Sequence, residues 1–547
     1  MRPKGAPVTL AADEHVAAEE PGTDPERPAT TDEAPAPSDG RGRAAWRWAG
    51  LFVLPYLLVG VAWVFSNPPG ASPDEPDHLV KAIGMGRLDI GDDYDRRLPE
   101  GPPLRRRNLS ITRVVDVPAG IVPEGYTCYA FDGNKTAACL PEDEPSGRGT
   151  VAVETPVGAY PPFAYVGMGL AARAMGTPYH AFLAARLVAL VTALAVVFVG
   201  AWFLVRELGR TALLGAFVAL TPMAVFAASS VTTSGLEIAS GFATGALVVV
   251  CLRRPEALLR PRTQLALGAV GSGLILSRQM GAVAFAVLLA VLVIGCRRQT
   301  WQLVREHRPA FLGSVALLAA SGLAVVLWER AYDHPTDTGS PLNLHAVDRF
   351  VPQAQGLIDS AIGVFGWLDS PLPVWAYWSW LAVAATLVGM ALLLGDRRER
   401  VTLAVGLAAT VLVTFGSYAA VFYPVGAGSQ GRHLLPLLVF CPLFAGVVVV
   451  DRLRGAGLGA ALRRLFVAVA VVAGALQFVG VFYNAQRYAV GVDGTLLFLD
   501  DAEWSPRFGW LPWLLIALAG AALLVRVALA SRPPLTIPTD PATSGES

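Results

Sequence analysis

Long apolar segments recur along almost the whole chain and constrain its fold more than any other feature. Each is close to the ~20 residues that an α-helix needs to cross the ~30 Å hydrocarbon core of a bilayer. They lie at roughly 46–65, 179–205, 211–229, 235–252, 263–277, 280–296, 310–331, 373–395, 401–423, 433–451, 464–483 and 510–531. Hydrophobic residues make up 54% of the chain and charged residues only 16%. The sequence therefore predicts an all-α polytopic membrane protein with about twelve transmembrane helices and short interfacial helices in its outer loops.

The charges are balanced overall but unevenly distributed. The chain has 43 basic and 43 acidic residues, so nothing in its net charge favours nucleic acid as a partner. Arginines concentrate in alternate loops, and the positive-inside rule then places these loops and both termini in the cytoplasm. The loops are 206–210, 253–262, 297–305, 397–400 and 452–464. Abundant arginine, alanine, glycine and valine are typical of a GC-rich bacterium, so we expect a bacterial plasma membrane protein with a lipid bilayer around it.

The two ends differ in composition from the rest of the chain. Residues 1–45 and 532–547 are polar and lack apolar periodicity, which predicts disordered cytoplasmic tails. The multi-pass domain is then 46–531, and residues 67–178 form a large first outer loop. The short runs 263–277 and 280–296 indicate a broken pair that does not fully cross the membrane.

An acidic segment follows the first apolar run and is the strongest functional clue. Residues 72–81 read Ser-Pro-Asp-Glu-Pro-Asp-His-Leu-Val-Lys. Ser72 as N-cap with Glu75 three residues later predicts a capping box, which gives Glu75 a structural explanation. The remaining ionisable groups follow helical spacing on one face, where they serve either as a site or as a solvated face with internal ion pairs. They are Asp74, Asp77, His78 and Lys81.

Further candidates lie where other outer segments meet the membrane. Tyr160, Pro161 and Pro162 end the first outer loop, and the aromatic residues there suit interfacial anchoring as well as substrate contact. Arg278, beside Gln279, departs from the positive-inside pattern. It is suited either to bind a phosphate or, as a structural residue, to reach lipid headgroups or pair with a carboxylate.

Three other outer segments supply the remaining candidates. Arg432, near Gln430, has the same two interpretations as Arg278. Glu237 begins a span, either as a helix-start carboxylate or as part of the site. Trp367 suits either stacking on a sugar or lipid headgroup or simple interfacial anchoring, and Asp369 suits a hydrogen bond to the same ligand.

The spacing of the five cysteines and the histidines does not match that of a zinc site. Cys128 and Cys139 both fall in the first outer loop, where an oxidising exterior permits a disulfide. Cys251, Cys296 and Cys441 lie in or beside spans and are expected to be small apolar core residues.

Four of these segments together resemble the bacterial polytopic family catalogued as domain of unknown function 2142, over about residues 45–530. They are Pro-Asp-Glu-Pro-x-His at 73–78, Tyr-Pro-Pro-Phe at 160–163, Gly-Trp-Leu-Asp-x-x-Leu-Pro at 366–373 and Gln-Gly-Arg-His-x-x-Pro at 430–436. Glu237 stands where related sequences commonly have Asp, and His433 stands where Tyr is expected.

The layout is also similar to that of GT-C glycosyltransferases, such as protein mannosyltransferases and lipid A aminoarabinose transferases. These enzymes carry an acidic motif in the first outer loop and a Pro-Pro-Leu-Tyr-like segment at its end. The resemblance implies that Asp74, or Glu75 beside it, is the catalytic acidic residue, with Asp77 as a third candidate. It also implies that the 160–162 segment lines the site.

The activity implied is inverting transfer of a sugar from a polyprenyl phosphate to a cell-envelope acceptor of unknown identity on the outer face. One carboxylate of the acidic segment would act as base, and Arg278 and Arg432, with Lys81 or His78, would stabilise the leaving phosphate. No cofactor is required, although a divalent metal bridging the phosphate and the carboxylates is compatible. The alternatives are a transporter or flippase for a lipid-linked precursor, and a noncatalytic partner in envelope assembly.

Overall fold

A computed structural model of the chain describes residues 39–93, 111–141, 147–331, 344–425 and 428–533. The described part is almost entirely helical, which confirms the predicted all-α polytopic class. The predicted terminal tails fall almost wholly outside the described residues. The helices are α1 (Asp39–Ser66), α2 (Glu75–Gly86), α3 (Val166–Ala172), α4 (Pro178–Leu208), α5 (Leu214–Ala219), α6 (Pro222–Ala228), α7 (Ser234–Arg253), α8 (Pro261–Ser277), α9 (Gln279–Gly295), α10 (Arg297–Glu306), α11 (Pro309–Ala331), α12 (Val347–Gly363), α13 (Val374–Leu394), α14 (Arg397–Ser417), α15 (Leu435–Leu438), α16 (Phe440–Gly455), α17 (Gly459–Val490) and α18 (Leu511–Ser531).

Each of the twelve predicted apolar runs is helical, but not all are single straight spans. In the described part of the chain, nine helices are long and apolar enough to cross a membrane, or up to eleven if two bent pairs each count as one span. One bent pair is 210–219 with α6, which turn by 81°, and the other is α9 with α10, which turn by 95°. The number of candidate spans is therefore at most eleven, one below the predicted twelve, because α8 is too short to be counted as a membrane-spanning helix.

The two short runs form a helical hairpin. α8 and α9 have 17 residues each, or about 25 Å of helix, against a hydrocarbon core of ~30 Å. Arg278 separates them in an extended conformation, with φ −168° and ψ 161°. A Cβ on Gly281 would lie 2.0 Å from the Leu274 carbonyl oxygen, so glycine allows the helices to approach closely at this turn. The hairpin places Arg278 at its tip.

The centre of the helical bundle is formed by helices that are apolar on every side. The apolar windows of α7 and of the span Leu435–Gly455 are 89% and 83% buried, whereas those of α11 and α13 are only 17% buried. A helix that is hydrophobic all round belongs in a core, and one that exposes apolar side chains along its length faces lipid. α7 and α16 are therefore central, and α11 and α13 are peripheral.

A small layer of loops, α2, α3 and two sheets covers one end of the bundle. β1 (Asp92–Asp93), β2 (Arg113–Pro118) and β3 (Thr150–Thr155) form an antiparallel sheet in that order, with Val115 opposite Val153. β4 (Val364–Phe365) and β5 (Ser370–Pro371) form an antiparallel pair. Cys128 and Cys139 are joined in a disulfide within this layer, as the sequence permitted.

The arginine-rich loops meet at the other end of the bundle. Glu207 binds both Arg260 and Arg262, at 2.6 and 2.8 Å. Glu399 binds Arg452 at 2.6 Å and also pairs with Arg253. The alternate loops selected by their arginines therefore lie on one side, away from α2 and the sheets.

Candidate functional site

The acidic segment forms a sharp turn followed by α2. Asp74 is the N-cap residue and has left-handed backbone angles, φ 59° and ψ 16°. The predicted N-cap at Ser72 was wrong, because this left-handed residue delays the helix until Glu75. Half of the predicted capping box is nevertheless present, since the Glu75 carboxylate accepts a 3.3 Å hydrogen bond from the Ser72 N–H.

Glu75 belongs to a buried ion pair with Arg186 of α4. The Arg186 Nε and Nη2 atoms donate to the two Glu75 oxygens at 2.8 and 2.6 Å, and both side chains are almost completely buried. Arg186 also donates to the carbonyl oxygens of Asn67 and Pro68, at 3.0 and 2.8 Å. The Val231 N–H donates to Glu75 as well, at 2.9 Å. The pair ties the end of α1 and the start of α2 to α4.

Asp74 and Asp77 are the two carboxylates of the segment that lack such partners. Both are half-buried, and neither has a side-chain hydrogen bond or ion pair among the described residues. Burial, followed by the charge of Asp74, raises the pKa of Asp77 to about 7. These carboxylates are therefore close together and available to a ligand.

His78 and Lys81 continue along α2 as buried groups with defined contacts. The His78 Nδ1 atom lies 2.7 Å from the Tyr165 hydroxyl. Burial and the charges of Arg432 and Arg278 lower the pKa of His78 well below its ordinary value. The Lys81 ammonium donates to the Gly158 carbonyl at 2.6 Å, and burial, aided by a nearby arginine, lowers its pKa to about 7.

The 160–162 segment lies between α2 and the α8–α9 hairpin. The ring centroids of Tyr160 and His78 are 5.9 Å apart. Arg278 donates to the Tyr160 hydroxyl at 3.2 Å, and its guanidinium carbon lies 5.2 Å from the centroid of that ring. Pro161 is buried and Pro162 is half-buried in the turn that follows. Tyr160 thus contacts both α2 and Arg278.

Arg432 lies on a tightly packed turn before α15. A Cβ on Gly431 would come within 2.1 Å of the Ala361 amide nitrogen, and the Gly431 N–H donates to Ser360 Oγ at 2.8 Å. Arg432 is 9% exposed, and its Nε atom has no hydrogen-bond partner. Burial and the charge of Arg278 lower the pKa of Arg432. Within the described residues, no carboxylate oxygen lies within 4.0 Å of a guanidinium nitrogen of Arg278 or Arg432.

Two openings border these groups. One, a cavity of about 10 Å³, is lined by Pro73, the 366–368 turn, Gln430 and Arg432, and it therefore lies between the acidic turn and the arginine turn. The other, a cavity of about 20 Å³, is lined by Glu237 of α7, by His433, and by residues of α9 and α14. The Gln430 Oε1 atom and both His433 ring nitrogens are buried without hydrogen-bond partners.

Three other candidates are held by the protein itself. The Trp367 indole N–H donates to the Gly70 carbonyl at 2.9 Å, and the ring is buried, so its contacts are those of a packed core residue. Asp369 pairs with Arg487 at 2.6 Å. Gln279 donates to Glu329 at 2.8 Å. Trp367 thus contacts the turn that precedes Asp74, and Asp369 accepts a hydrogen bond from the Trp367 backbone N–H at 3.0 Å.

The described residues contain no group of three or more His, Cys, Asp or Glu side chains arranged to hold a metal ion. Asp74 and Asp77 would supply the protein ligands for a divalent cation, which hard oxygen donors suit chemically. Phosphate and water oxygens would have to complete such a site.

Sequence reasoning did not select Arg186, Tyr165, His433 or Arg487 as site residues. Arg186 carried a detectable signal, since a charge inside an apolar run is costly unless it has partners. Tyr165 and His433 carried none beyond their neighbours in the motifs.

Comparison with known proteins gives one result. The model of a family described as predicted membrane protein (DUF2142) matches residues 57–441, a somewhat shorter stretch than the motifs suggested. Neither the curated proteins nor the solved structures contain a match to the chain.

Proposed function

The chain belongs to the DUF2142 family of predicted membrane proteins, a description that names no reaction, and we propose from its site that it is a glycosyltransferase. The proposed reaction is transfer of a sugar from a polyprenyl phosphate to a hydroxyl group of a cell-envelope acceptor, with inversion at the anomeric carbon. The positive-inside arrangement of the arginine loops supports a site on the outer face of the plasma membrane and cytoplasmic termini. The motif resemblance to GT-C enzymes is consistent with this assignment.

The observation that carries the proposal is the pair of arginines without carboxylate partners. Arg278 and Arg432 lie near enough to His78 for both charges to lower its pKa, and Asp74 lies near enough to Arg432 to affect the pKa of that arginine. Buried cations are retained at a cost unless an anion neutralises them. A phosphodiester of a lipid carrier is such an anion, and it approaches from the bilayer in which the protein lies.

The carboxylates have different roles in this scheme. Glu75 is engaged by Arg186 and has no free position for a substrate hydroxyl. Of the three carboxylates in the acidic segment, Asp74 is the one whose charge acts on Arg432, so we place it beside the phosphate and the sugar carbon attached to it. We assign the base to Asp74. Asp77 is the second candidate, because a pKa of about 7 suits a general base.

The chemical step follows from these positions. Asp74 accepts the proton of the acceptor hydroxyl while the oxygen attacks the anomeric carbon. The bond from that carbon to the phosphate oxygen breaks, and its electron pair leaves with the polyprenyl phosphate. Arg278 and Arg432 stabilise the extra negative charge that develops on the phosphate. His78 and Tyr160 line the approach, and Lys81 holds the 158–162 turn through the Gly158 carbonyl.

The proposal is tested in a deletion strain complemented with variants of the protein. Asp74→Asn retains the left-handed backbone angles, which Asn adopts readily, and removes only the base. We expect the deletion strain and the Asp74→Asn strain to accumulate a polyprenyl-phosphate-linked sugar, measured by mass spectrometry of extracted lipids. A base contributes about 10²- to 10⁴-fold in rate.

Glu306→Gln is the matched control, because Glu306 is an exposed carboxylate at the opposite end of the bundle. It should restore the wild-type lipid profile. Accumulation in Asp77→Asn but not in Asp74→Asn would move the base to Asp77. The glycosyltransferase proposal would be refuted if the double variant Asp74→Asn with Asp77→Asn inserted into the membrane and gave the wild-type lipid profile. Transport or assembly without chemistry would then be favoured.

A further inference from the structure

The backbone that leads from α1 to the proposed base is held by side chains. Residues 67–74 include Pro68, Pro69 and Pro73, which have no N–H to donate and prevent a regular ladder of backbone hydrogen bonds. Buried carbonyl oxygens in such a segment still need donors. The carbonyl oxygens of residues 67–71 each accept a hydrogen bond from a buried side chain, and the donors are Arg186, Tyr129, Trp367 and Tyr488.

Three of these donors come from distant parts of the chain and bind only one carbonyl oxygen each in the segment. The Tyr129 hydroxyl donates to the carbonyl oxygen of residue 69 at 2.5 Å. The Trp367 indole N–H donates to that of residue 70 at 2.9 Å, and the Tyr488 hydroxyl, from α17, donates to that of residue 71 at 2.9 Å. The donors and acceptors are 60, 297 and 417 residues apart in the chain, so separate parts of the fold fix neighbouring peptide units.

Arg487 links two of the donors to each other. Its Nη2 atom donates to the Tyr129 carbonyl oxygen at 2.8 Å and to the Asp369 carboxylate at 2.6 Å. The same carboxylate accepts a hydrogen bond from the Trp367 backbone N–H at 3.0 Å. Cys128, which precedes Tyr129 in the chain, is disulfide-bonded. The backbones that carry the Tyr129 and Trp367 side chains are therefore themselves held in place.

The segment ends at Asp74, whose carboxylate has no side-chain hydrogen bond or ion pair among the described residues. Its backbone is left-handed, with φ 59°, a conformation that is uncommon outside glycine and persists where the surrounding structure fixes it. With no side-chain partner in the described protein, the position of this carboxylate depends on its backbone. The backbone in turn depends on the donors to residues 67–71.

We propose that Tyr129, Trp367 and Tyr488 are positioning residues, which hold Asp74 in place as the general base through the carbonyl oxygens of residues 69–71. The inference rests on the proposed function, since it concerns the base of that reaction. A displacement of about 1 Å at a reacting group costs up to about 10²-fold in rate. Loss of one of these hydrogen bonds should therefore slow the reaction and leave phosphate binding unchanged.

The test uses Tyr129→Phe and Tyr488→Phe, which remove the donor and keep the ring, and Trp367→Phe, which removes the indole N–H. Turnover is measured in the complemented deletion strain as the loss of isotopically labelled polyprenyl-phosphate-linked sugar during a chase, per amount of folded protein. Binding of farnesyl phosphate, a short analogue of polyprenyl phosphate, is measured on the purified full-length protein in detergent micelles. We expect turnover to fall about tenfold or more and the tyrosine variants to bind farnesyl phosphate as the wild type does.

Tyr377→Phe is the matched control. The Tyr377 hydroxyl is also a buried donor to a backbone carbonyl oxygen, that of Gly363 at 2.8 Å, which lies outside the 67–74 segment. This variant should keep wild-type turnover per amount of folded protein. Hydrogen–deuterium exchange over residues 67–78 supplies a readout that does not depend on activity. Exchange there should be faster in Tyr129→Phe and Tyr488→Phe than in the wild type or in Tyr377→Phe.

The possible failures are distinguishable. Wild-type turnover in both tyrosine variants would overturn the positioning role and leave Asp74 as the base. Equally slow turnover in Tyr377→Phe, or slow turnover with unchanged exchange over residues 67–78, would overturn it too, because the effect would not pass through this backbone. A deletion strain that accumulates no polyprenyl-phosphate-linked sugar would overturn the glycosyltransferase and this inference with it.

Discussion

Replacing Arg186 by methionine should strongly destabilise the protein. Arg186 makes two hydrogen bonds to Glu75, at 2.8 and 2.6 Å, and three more to the carbonyl oxygens of Val64, Asn67 and Pro68. The substitution leaves an uncompensated carboxylate in a buried site, a change that costs about 3–5 kcal/mol. Because total stabilities are only about 5–15 kcal/mol, this loss is large enough to measure directly.

The assay is equilibrium unfolding in mixed micelles, followed by tryptophan fluorescence and far-UV circular dichroism. A second variant combines Arg186→Met with Glu75→Leu and thereby removes the unpaired charge. It should recover part of the loss but not all of it, since three carbonyl oxygens still lack their donor. Glu306→Gln, in an exposed pair, serves as the control and should unfold like the wild type.

The reasoning would be refuted if Arg186→Met lowered the unfolding free energy by less than about 1 kcal/mol, a value typical of a surface pair. It would also fail if the double variant were no more stable than the single one. In that case the effect would come from packing of the arginine stem rather than from the unpaired carboxylate.

Three further predictions concern Asp77, the disulfide and the Gly431 turn. The pKa of Asp77 is raised from its ordinary value near 4 to about 7, so the folded protein loses stability as pH rises through that interval and the carboxyl group ionises. Unfolding titrations should therefore show Asp77→Asn becoming increasingly more stable than the wild type from pH ~4 to ~7. Cys128→Ser with Cys139→Ser should lower the unfolding free energy by about 2–3 kcal/mol and speed proteolysis of the layer of loops and sheets, whereas unchanged digestion would contradict a stabilising disulfide. Gly431→Ala should weaken farnesyl phosphate binding, because its Cβ would lie 2.1 Å from the Ala361 nitrogen and displace the arginine turn; unaltered affinity would show that this turn does not form the site.

The fold and the meeting of the main site residues could be read from the sequence because both depend on one-dimensional rules. The length of an apolar run predicts a membrane span. Alternate loops lie on the same side of the membrane, and here these are the arginine-rich loops. Polar residues at span ends on the same side can therefore be expected near one another, as predicted for Tyr160, His78 and Arg278. In the structure Tyr160 contacts both of the others.

The roles of individual polar residues could not be read in this way. Glu75 and Asp369 resemble site carboxylates in sequence, but each has a buried arginine partner more than 100 residues away, Arg186 and Arg487. Trp367 resembles an interfacial anchor until its N–H is seen to bind the Gly70 carbonyl. Pairing at such separations depends on how helices pack, and local patterns carry no information about it.

The buried arginines are of two kinds. Replacement by methionine should change the unfolding free energy in opposite directions for the two kinds. Arg186 and Arg487 each bind a carboxylate and three backbone carbonyl oxygens. Arg432 has no carboxylate within 4.0 Å among the described residues and an unpartnered Nε, with the like charge of Arg278 nearby. Arg432→Met should therefore raise the unfolding free energy of the ligand-free protein, whereas Arg186→Met lowers it. Farnesyl phosphate at 100 times its Kd should stabilise the wild type by about 2.7 kcal/mol and the Arg432→Met variant much less. A ligand-free Arg432→Met protein that is less stable than the wild type would mean that this guanidinium is already satisfied without an anion, and the phosphate site would lose its main support.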